Sequence, residues 1–128
     1  MRNKTILKSA EISIGDFLKI EPMLGVVFYH FVQYAVEYDL PVVITSMIDE
    51  APNRVSSTHN EGRAIDIRAS KEWTDLHTVR VCNKLNELYA RKYGTAPAEK
   101  KPRVIICHDA GTGKHFHLQI RRNLILFK

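Results

Sequence analysis

Residues 57–68 read S-T-H-N-E-G-R-A-I-D-I-R, and the second half of this stretch has the two-residue repeat of a β-strand. Asp66 and Arg68 alternate with Ile65 and Ile67. Because successive side chains of a strand point to opposite faces of a sheet, the two isoleucines share one face and the two charged residues share the other. The stretch therefore predicts a strand with one face in the core and one polar face that carries Asp66.

A second strand with the same division is predicted near the end of the chain, where residues 114–120 read K-H-F-H-L-Q-I. His115 and His117 fall on one face, while Phe116 and Leu118 fall on the other. The two histidines would be about 6 to 7 Å apart along such a strand. Two polar strand faces could then present their side chains to one point.

The remaining pattern predicts an α+β fold in a single domain that spans residues 1–128. Apolar spacing predicts a core helix over 23–38 and a second helix from Ser70 or Thr74 to Tyr93, with Gly94 as its end. Further strands are predicted at 41–46 and 103–107, with His108 at the end of the latter. We expect the helices to cover one face of a small, largely antiparallel sheet, with the polar residues on the opposite face. His30 is expected to be packed or at the surface, and His77 to face solvent.

Composition is that of an ordinary folded domain, with 45% hydrophobic and 26% charged residues in 128. Cys82 and Cys107 do not have the spacing of a C-x-x-C motif, and we expect both to be reduced core residues. The net charge of +5 favours anionic partners, among which nucleic acid, a cell-wall polymer and a membrane surface all qualify. The sequence contains neither the apolar run of a signal peptide nor a membrane span.

Three side chains match the ligand set of a catalytic zinc ion, which takes three protein ligands and keeps a fourth position for water. His59, Asp66 and His117 would supply two imidazoles and a carboxylate. Gly62 and Ala64 share the strand face of Asp66, and their lack of bulk would let a metal ion and a substrate approach closely.

The order S-x-H-x-x-G-x-A-x-D, from Ser57 to Asp66, followed by H-x-H at 115–117, resembles a group of zinc metallopeptidases. The group includes lysostaphin-type enzymes, D-alanyl-D-alanine metallopeptidases, phage endolysins and the hedgehog N-terminal domain. The resemblance covers about residues 42–120 and implies a hedgehog/DD-peptidase-like fold. It also implies that His59, Asp66 and His117 hold zinc and that the substrate is a peptidoglycan peptide.

One position departs from part of that group. The D-alanyl-D-alanine peptidases and related endolysins carry Glu or Asp three residues before the last zinc histidine, where this chain has Lys114. The H-x-H pattern is more similar to the lysostaphin and penicillin-insensitive murein endopeptidase branches, in which the first histidine of the pair assists catalysis. By this resemblance His115 would be the general base.

Other candidates for catalytic and substrate-binding roles remain open. His108 could bind the oxyanion or return a proton to the leaving amine, or it could simply cap a strand end. Glu61 is a rival base because it is close in sequence to His59. Ser57 and Arg54 are candidates for substrate binding, although Ser57 could instead close the loop.

We therefore expect a zinc-dependent peptidoglycan peptidase that uses a metal-activated water. The alternative is a catalytically inert zinc-binding module of the same fold, which Lys114 favours and His115 disfavours. A nucleic-acid protein is a weaker alternative, because aromatic and basic residues do not interleave on one sheet face. We expect no membrane partner and a monomer that is made in the cytoplasm without a signal peptide. It would act on the cell wall after release, in phage lysis or from a virion.

Overall fold

The computed structural model describes residues 5–7, 20–47, 63–95, 101–109 and 113–121. Five strands and two helices follow one another in these ranges. They are β1 (Thr5–Leu7), α1 (Pro22–Glu37), β2 (Val42–Ser46), β3 (Ala64–Arg68), α2 (Asp75–Tyr93), β4 (Ile105–Asp109) and β5 (Lys114–Gln119).

The strands form one sheet in the order β1-β2-β3-β5-β4. The pairs β2–β3, β3–β5 and β5–β4 are antiparallel, whereas β1 pairs with β2 in parallel. The predicted α+β class with two helices and a small, largely antiparallel sheet is therefore confirmed. The two central strands, β3 and β5, are the two whose alternating sequences predicted a polar face.

The face of β3 and β5 that was predicted to be apolar is fully buried. Ile65, Ile67, Phe116 and Leu118 each have 0% relative exposure. The aromatic rings of Phe31 in α1 and of Trp73, just before α2, lie 5.0 and 4.8 Å from the ring of Phe116. The strand phases are thus confirmed, and the opposite faces of these strands are left for polar side chains.

Helix α1 begins at Pro22, where the missing N–H of proline has no helical partner to lose. It buries the stripe Leu24, Val27, Phe31, Tyr34 and Ala35. The predicted helix over 23–38 is confirmed to within one residue at each end.

Helix α2 begins after Thr74, whose hydroxyl accepts a hydrogen bond from the backbone N–H of His77. This confirms Thr74, rather than Ser70, as the capping residue. At the other end, a Cβ on Gly94 would lie 2.5 Å from the carbonyl oxygen of Ala90. Glycine is therefore required there by close backbone approach, and the predicted end at Tyr93 is confirmed.

Apolar spacing predicted α2, but its apolar residues are only partly buried. Leu76, Val79 and Leu88 are more than half exposed, whereas Val81 and Leu85 have 0% exposure. Leu85 follows Leu76 by nine residues, about two and a half turns, so the two side chains lie on opposite sides of the helix. Apolar residues therefore occur on more than one side of α2, and the side that carries Leu85 faces the core.

The two histidines of the helices are structural. The prediction that His77 faces solvent is wrong, because its ring is half-buried and its Nδ1 shares a 2.9 Å hydrogen bond with the hydroxyl of Tyr34. His30 contacts the hydroxyl of Tyr89 in α2, as expected of a packed residue. These contacts join the two helices.

Cys82 and Cys107 are free thiols that pack against the core, as predicted. Burial raises the pKa of Cys82 to about 12 and also raises the pKa of Cys107. Both side chains are therefore neutral thiols at physiological pH. No helix in the described ranges is long and apolar enough to cross a membrane.

Strand β4 lies about two residues later than predicted, because it begins at Ile105 and continues through His108 to Asp109. Arg103 instead pairs with Thr95, through backbone hydrogen bonds of 3.0 and 2.8 Å. The side chain of Asn86 in α2 then holds the start of the strand. Its Oδ1 accepts from the N–H groups of Val104 and Ile105, and its Nδ2 donates to the carbonyl of Ile105.

Replacing the side chain of Asn86, which clamps the start of β4 to α2, should destabilise this strand. Asn86→Ala should lower the free energy of unfolding by about 1–3 kcal/mol, because half-buried backbone groups lose their partners. Glu87→Ala, at the exposed neighbouring position, should change it by no more than about 0.5 kcal/mol. Urea denaturation followed by circular dichroism measures both variants. Equal stability of the two would show that the clamp does not hold the strand.

Candidate functional site

The open face of the sheet gathers four polar side chains from three neighbouring strands. In the register of the sheet, Asp66 of β3 lies opposite His117 of β5, and His108 of β4 lies opposite His115 of β5. All four are in the strand phase opposite to the buried residues. The structure therefore brings together four of the seven residues that the sequence nominated for the site.

The other three nominated residues, His59, Ser57 and Arg54, lie outside the described residues, as does the rival base Glu61. Within the described ranges, no three His, Cys, Asp or Glu side chains are grouped so that they could hold a metal ion. A three-ligand site at Asp66 and His117 would thus need a ligand from outside the described residues. His59 remains the predicted one.

Asp66 and His117 form the closest polar contact of the site. Nδ1 of His117 donates to Oδ1 of Asp66 at 2.7 Å, and the side chains are only 21% and 16% exposed, respectively. Beside them the pairing of β2 with β3 is irregular between Ile44 and Ser46. The hydroxyl of Thr45, within this irregularity, donates to the carbonyl of Asp66 at 3.4 Å. The β3 backbone that carries the Asp66 carboxylate is thus hydrogen-bonded to β2 on one side and to β5 on the other.

Gln119 is part of the site, although the sequence analysis did not nominate it. Its Oε1 accepts from Nε2 of His117 at 2.6 Å. Since Asp66 lies at Nδ1, both ring nitrogens of His117 have a polar partner in this arrangement. Gln119 follows His117 by two residues on the same strand face. The alternation that paired the two histidines could have found it.

His115 has a defined tautomer in this structure. Its Nδ1 is 3.2 Å from the carbonyl oxygen of Gly113. A carbonyl can only accept, so Nδ1 carries the hydrogen and the lone pair of the neutral ring is on Nε2. Gly113 adopts a φ of 111°, a conformation that L side chains rarely adopt, and this turn sets the position of the accepting carbonyl. The ring is therefore prepared to accept a proton through Nε2.

His108 is directly adjacent to His115 and also close to His117. The ring centroids of His108 and His115 are 4.5 Å apart, and those of His108 and His117 are 6.4 Å apart. Partial desolvation of its ring, which remains exposed on one side, and then the charges that His115 and His117 can carry, lower the pKa of His108. The interpretation of His108 as a strand-end residue is therefore corrected, because it lies inside β4 and its ring belongs to the histidine cluster.

Lys114, which stands where some of the peptidases that the motif resembles carry a carboxylate, points away from the cluster. It is in strand phase with Phe116, on the helix side of the sheet. Its Nζ lies 3.2 Å from Oδ1 of Asp75, a residue in the first turn of α2. The ammonium group therefore links β5 to the helix layer.

A pocket of about 420 Å³ opens next to the cluster, and its walls include Asp66, Arg68 and His115. Its size is within the usual range of small-ligand sites, about 300–1,000 Å³. A ligand in this pocket would be in contact with the polar face of β3 and β5.

Comparisons of the chain with protein-family models, with curated proteins and with solved structures found no match. The chemistry of the site is therefore argued from its own residues. These are a carboxylate and an imidazole in contact, and two further imidazoles whose ring centroids are 4.5 Å apart.

The pKa of His108 offers a direct check of the cluster. In metal-free protein its NMR titration should have a midpoint below the ordinary value of about 6.5, because burial and two histidine neighbours disfavour its cation. The stability that this shift contributes is present above about pH 6.5 and is lost as the pH falls through the folded-state midpoint. In His115→Ala the midpoint should rise. A midpoint at or above the ordinary value in the parent protein would contradict the packing of the three rings.

Proposed function

We propose that the protein is a zinc-dependent peptidase that hydrolyses amide bonds in the peptides of peptidoglycan. The observation that carries the proposal is the convergence of Asp66 Oδ1 and His117 Nδ1 at 2.7 Å, beside the paired rings of His115 and His108. The resemblance of the sequence motif to zinc metallopeptidases suggests the substrate class and a hedgehog/DD-peptidase-like fold. The positive net charge suits a substrate in an anionic wall.

The described donors fit part of a zinc site. Bonds of about 2.0–2.2 Å from zinc to nitrogen and oxygen would let one ion reach both Asp66 and His117. His59 would complete the set of three, which would leave one position for water. Binding would displace the proton at Nδ1 of His117, while Nε2–H would still donate to Gln119. Such an outer hydrogen bond orients a ligand ring and raises its basicity.

The remaining chemistry requires a base for water and a donor for the leaving amine. When bound, zinc would polarise the scissile carbonyl and lower the pKa of the attacking water to about 7. His115 would accept the proton of that water at Nε2, since its Nδ1 faces the carbonyl oxygen of Gly113, and would then give this proton to the leaving amine. His108 is neutral at physiological pH because of its lowered pKa, so its ring N–H can donate to the developing oxyanion.

Substrate positioning extends the proposal to residues 54–61. Ser57 and Arg54 would contact the peptide near His59. Glu61 is the rival to His115 as base. The hydrogen bond that fixes the His115 tautomer supports His115, since it leaves a lone pair on the same sheet face as Asp66.

An inert zinc-binding module is the second candidate, and the observation that favours it is the position of Lys114. Its ammonium group is paired with Asp75, and it supplies no carboxylate beside His117. Such a module would bind zinc and hydrolyse nothing. Measuring metal content and peptide hydrolysis together separates the two candidates.

Replacing His115 tests whether this residue is the general base of a hydrolysis reaction. His115→Ala should keep its zinc, because the three proposed ligands are untouched, and should release amino groups from peptidoglycan about 10²- to 10⁴-fold more slowly. His30→Ala, which removes a histidine of the helix layer, should retain both zinc and activity. Metal analysis and an amino-group assay on purified walls provide the measurements.

Two results would contradict parts of this account. An active His115→Ala variant would transfer the role of base to His108 or Glu61. Zinc-bound parent protein that releases nothing from any wall type would establish the inert module.

A further inference from the structure

The pocket beside the histidine cluster has cationic groups on its wall that the proposed hydrolysis does not use. Besides Asp66 and His115, its lining includes Thr45, Arg68, Ser70 and Lys114. Arg68 follows Asp66 by two residues, so its side chain is on the same sheet face, and it lies opposite His115 in the register. A ligand that contacts the reacting groups could therefore also contact Arg68.

The two cationic side chains that line the pocket differ in whether they have an ion-pair partner. Lys114 is paired with Asp75 at 3.2 Å. Arg68 is exposed and makes no hydrogen bond or ion pair with the part of the chain that the structure describes. Asp66, which shares its strand face, has its carboxylate 2.7 Å from Nδ1 of His117. The guanidinium of Arg68 is thus available to a ligand.

We propose that this pocket binds a carboxylate of the peptide substrate and that Arg68 is its direct partner. The inference rests on the proposed peptidase function and names the substrate more closely. A guanidinium offers parallel N–H donors that match both oxygens of a carboxylate.

The position of Arg68 also limits where that carboxylate lies in the substrate. Residues 66 and 68 are about 6–7 Å apart along the strand, a distance that one or two residues of an extended peptide span. The carboxylate therefore belongs to a residue within about two positions of the bond that is cut. Its source is either the free carboxyl terminus of the peptide or the carboxyl group of an acidic residue within the peptide.

The test uses soluble peptidoglycan fragments in three forms: with all carboxylates free, with only the carboxyl terminus amidated, and with only the acidic residue amidated. The parent protein should cleave the free form with a KM about 10- to 100-fold below that of the form whose anchoring carboxylate is amidated. Whichever amidation raises KM identifies the source of the carboxylate. Equal KM values for all three forms would overturn the proposal.

The matching variant is Arg68→Gln, and Arg91→Gln at an exposed position of α2 is its control. Arg68→Gln should raise KM for the free form to that of the amidated form while zinc content and kcat stay near those of the parent. Arg68→Lys should recover part of the loss, because it restores the charge but not the paired donors. The control should behave as the parent does. An unchanged KM in Arg68→Gln would overturn the role of Arg68 and leave the peptidase proposal intact.

If the parent protein cleaves none of the fragments, the peptidase proposal fails. A binding experiment then tests whether the pocket is a carboxylate site. Titrating the free form into isotope-labelled protein should then shift the NMR signals of Arg68 and His115 saturably, and the shifts should vanish in Arg68→Gln. The absence of saturable shifts would overturn the pocket as a carboxylate site.

Discussion

The antiparallel pairing of β3 with β5 is the constraint on which the site depends. This register places Asp66 opposite His117 on the open face, and it places Ile67 opposite Phe116 on the buried face. Because the side-chain period of a strand is two, a slip of one residue would bring Asp66 into the core and expose the isoleucines. Burial of the apolar face and assembly of the polar face are therefore set by the same hydrogen bonds.

The helices stabilise this register through contacts on the buried face of the sheet and at its β4 edge. Phe31 and Trp73 pack against Phe116, so the helices are fitted to the phase of β5. Asn86 attaches the start of β4 to α2 and thereby sets which residue of β4 lies opposite His115. The position of His108 in the cluster follows from contacts on the other side of the sheet.

Alternation predicted β3 and β5 correctly because one face of each strand is strongly apolar and the other is not. The same reasoning failed where a segment had two possible partners. The β-branched run at 103–107 suits a strand, but Arg103 pairs with Thr95 and the strand begins at Ile105. Helix α2 has apolar residues on more than one side, and the sequence does not say which of them face the core. Gln119 and Arg68 could have been nominated from strand phase, whereas the Asn86 clamp depends on a tertiary contact that no local pattern contains.

The most direct test of the account is the zinc content of the purified chain and of Asp66→Ala after equilibration with zinc and removal of free metal. The parent should retain close to one zinc per chain, because Asp66, His117 and the predicted ligand His59 would form a three-ligand site. Asp66→Ala should retain almost none, while Glu87→Ala should match the parent. Full zinc in Asp66→Ala, or none in the parent, would contradict the central claim that the polar face of β3 and β5 is a metal site.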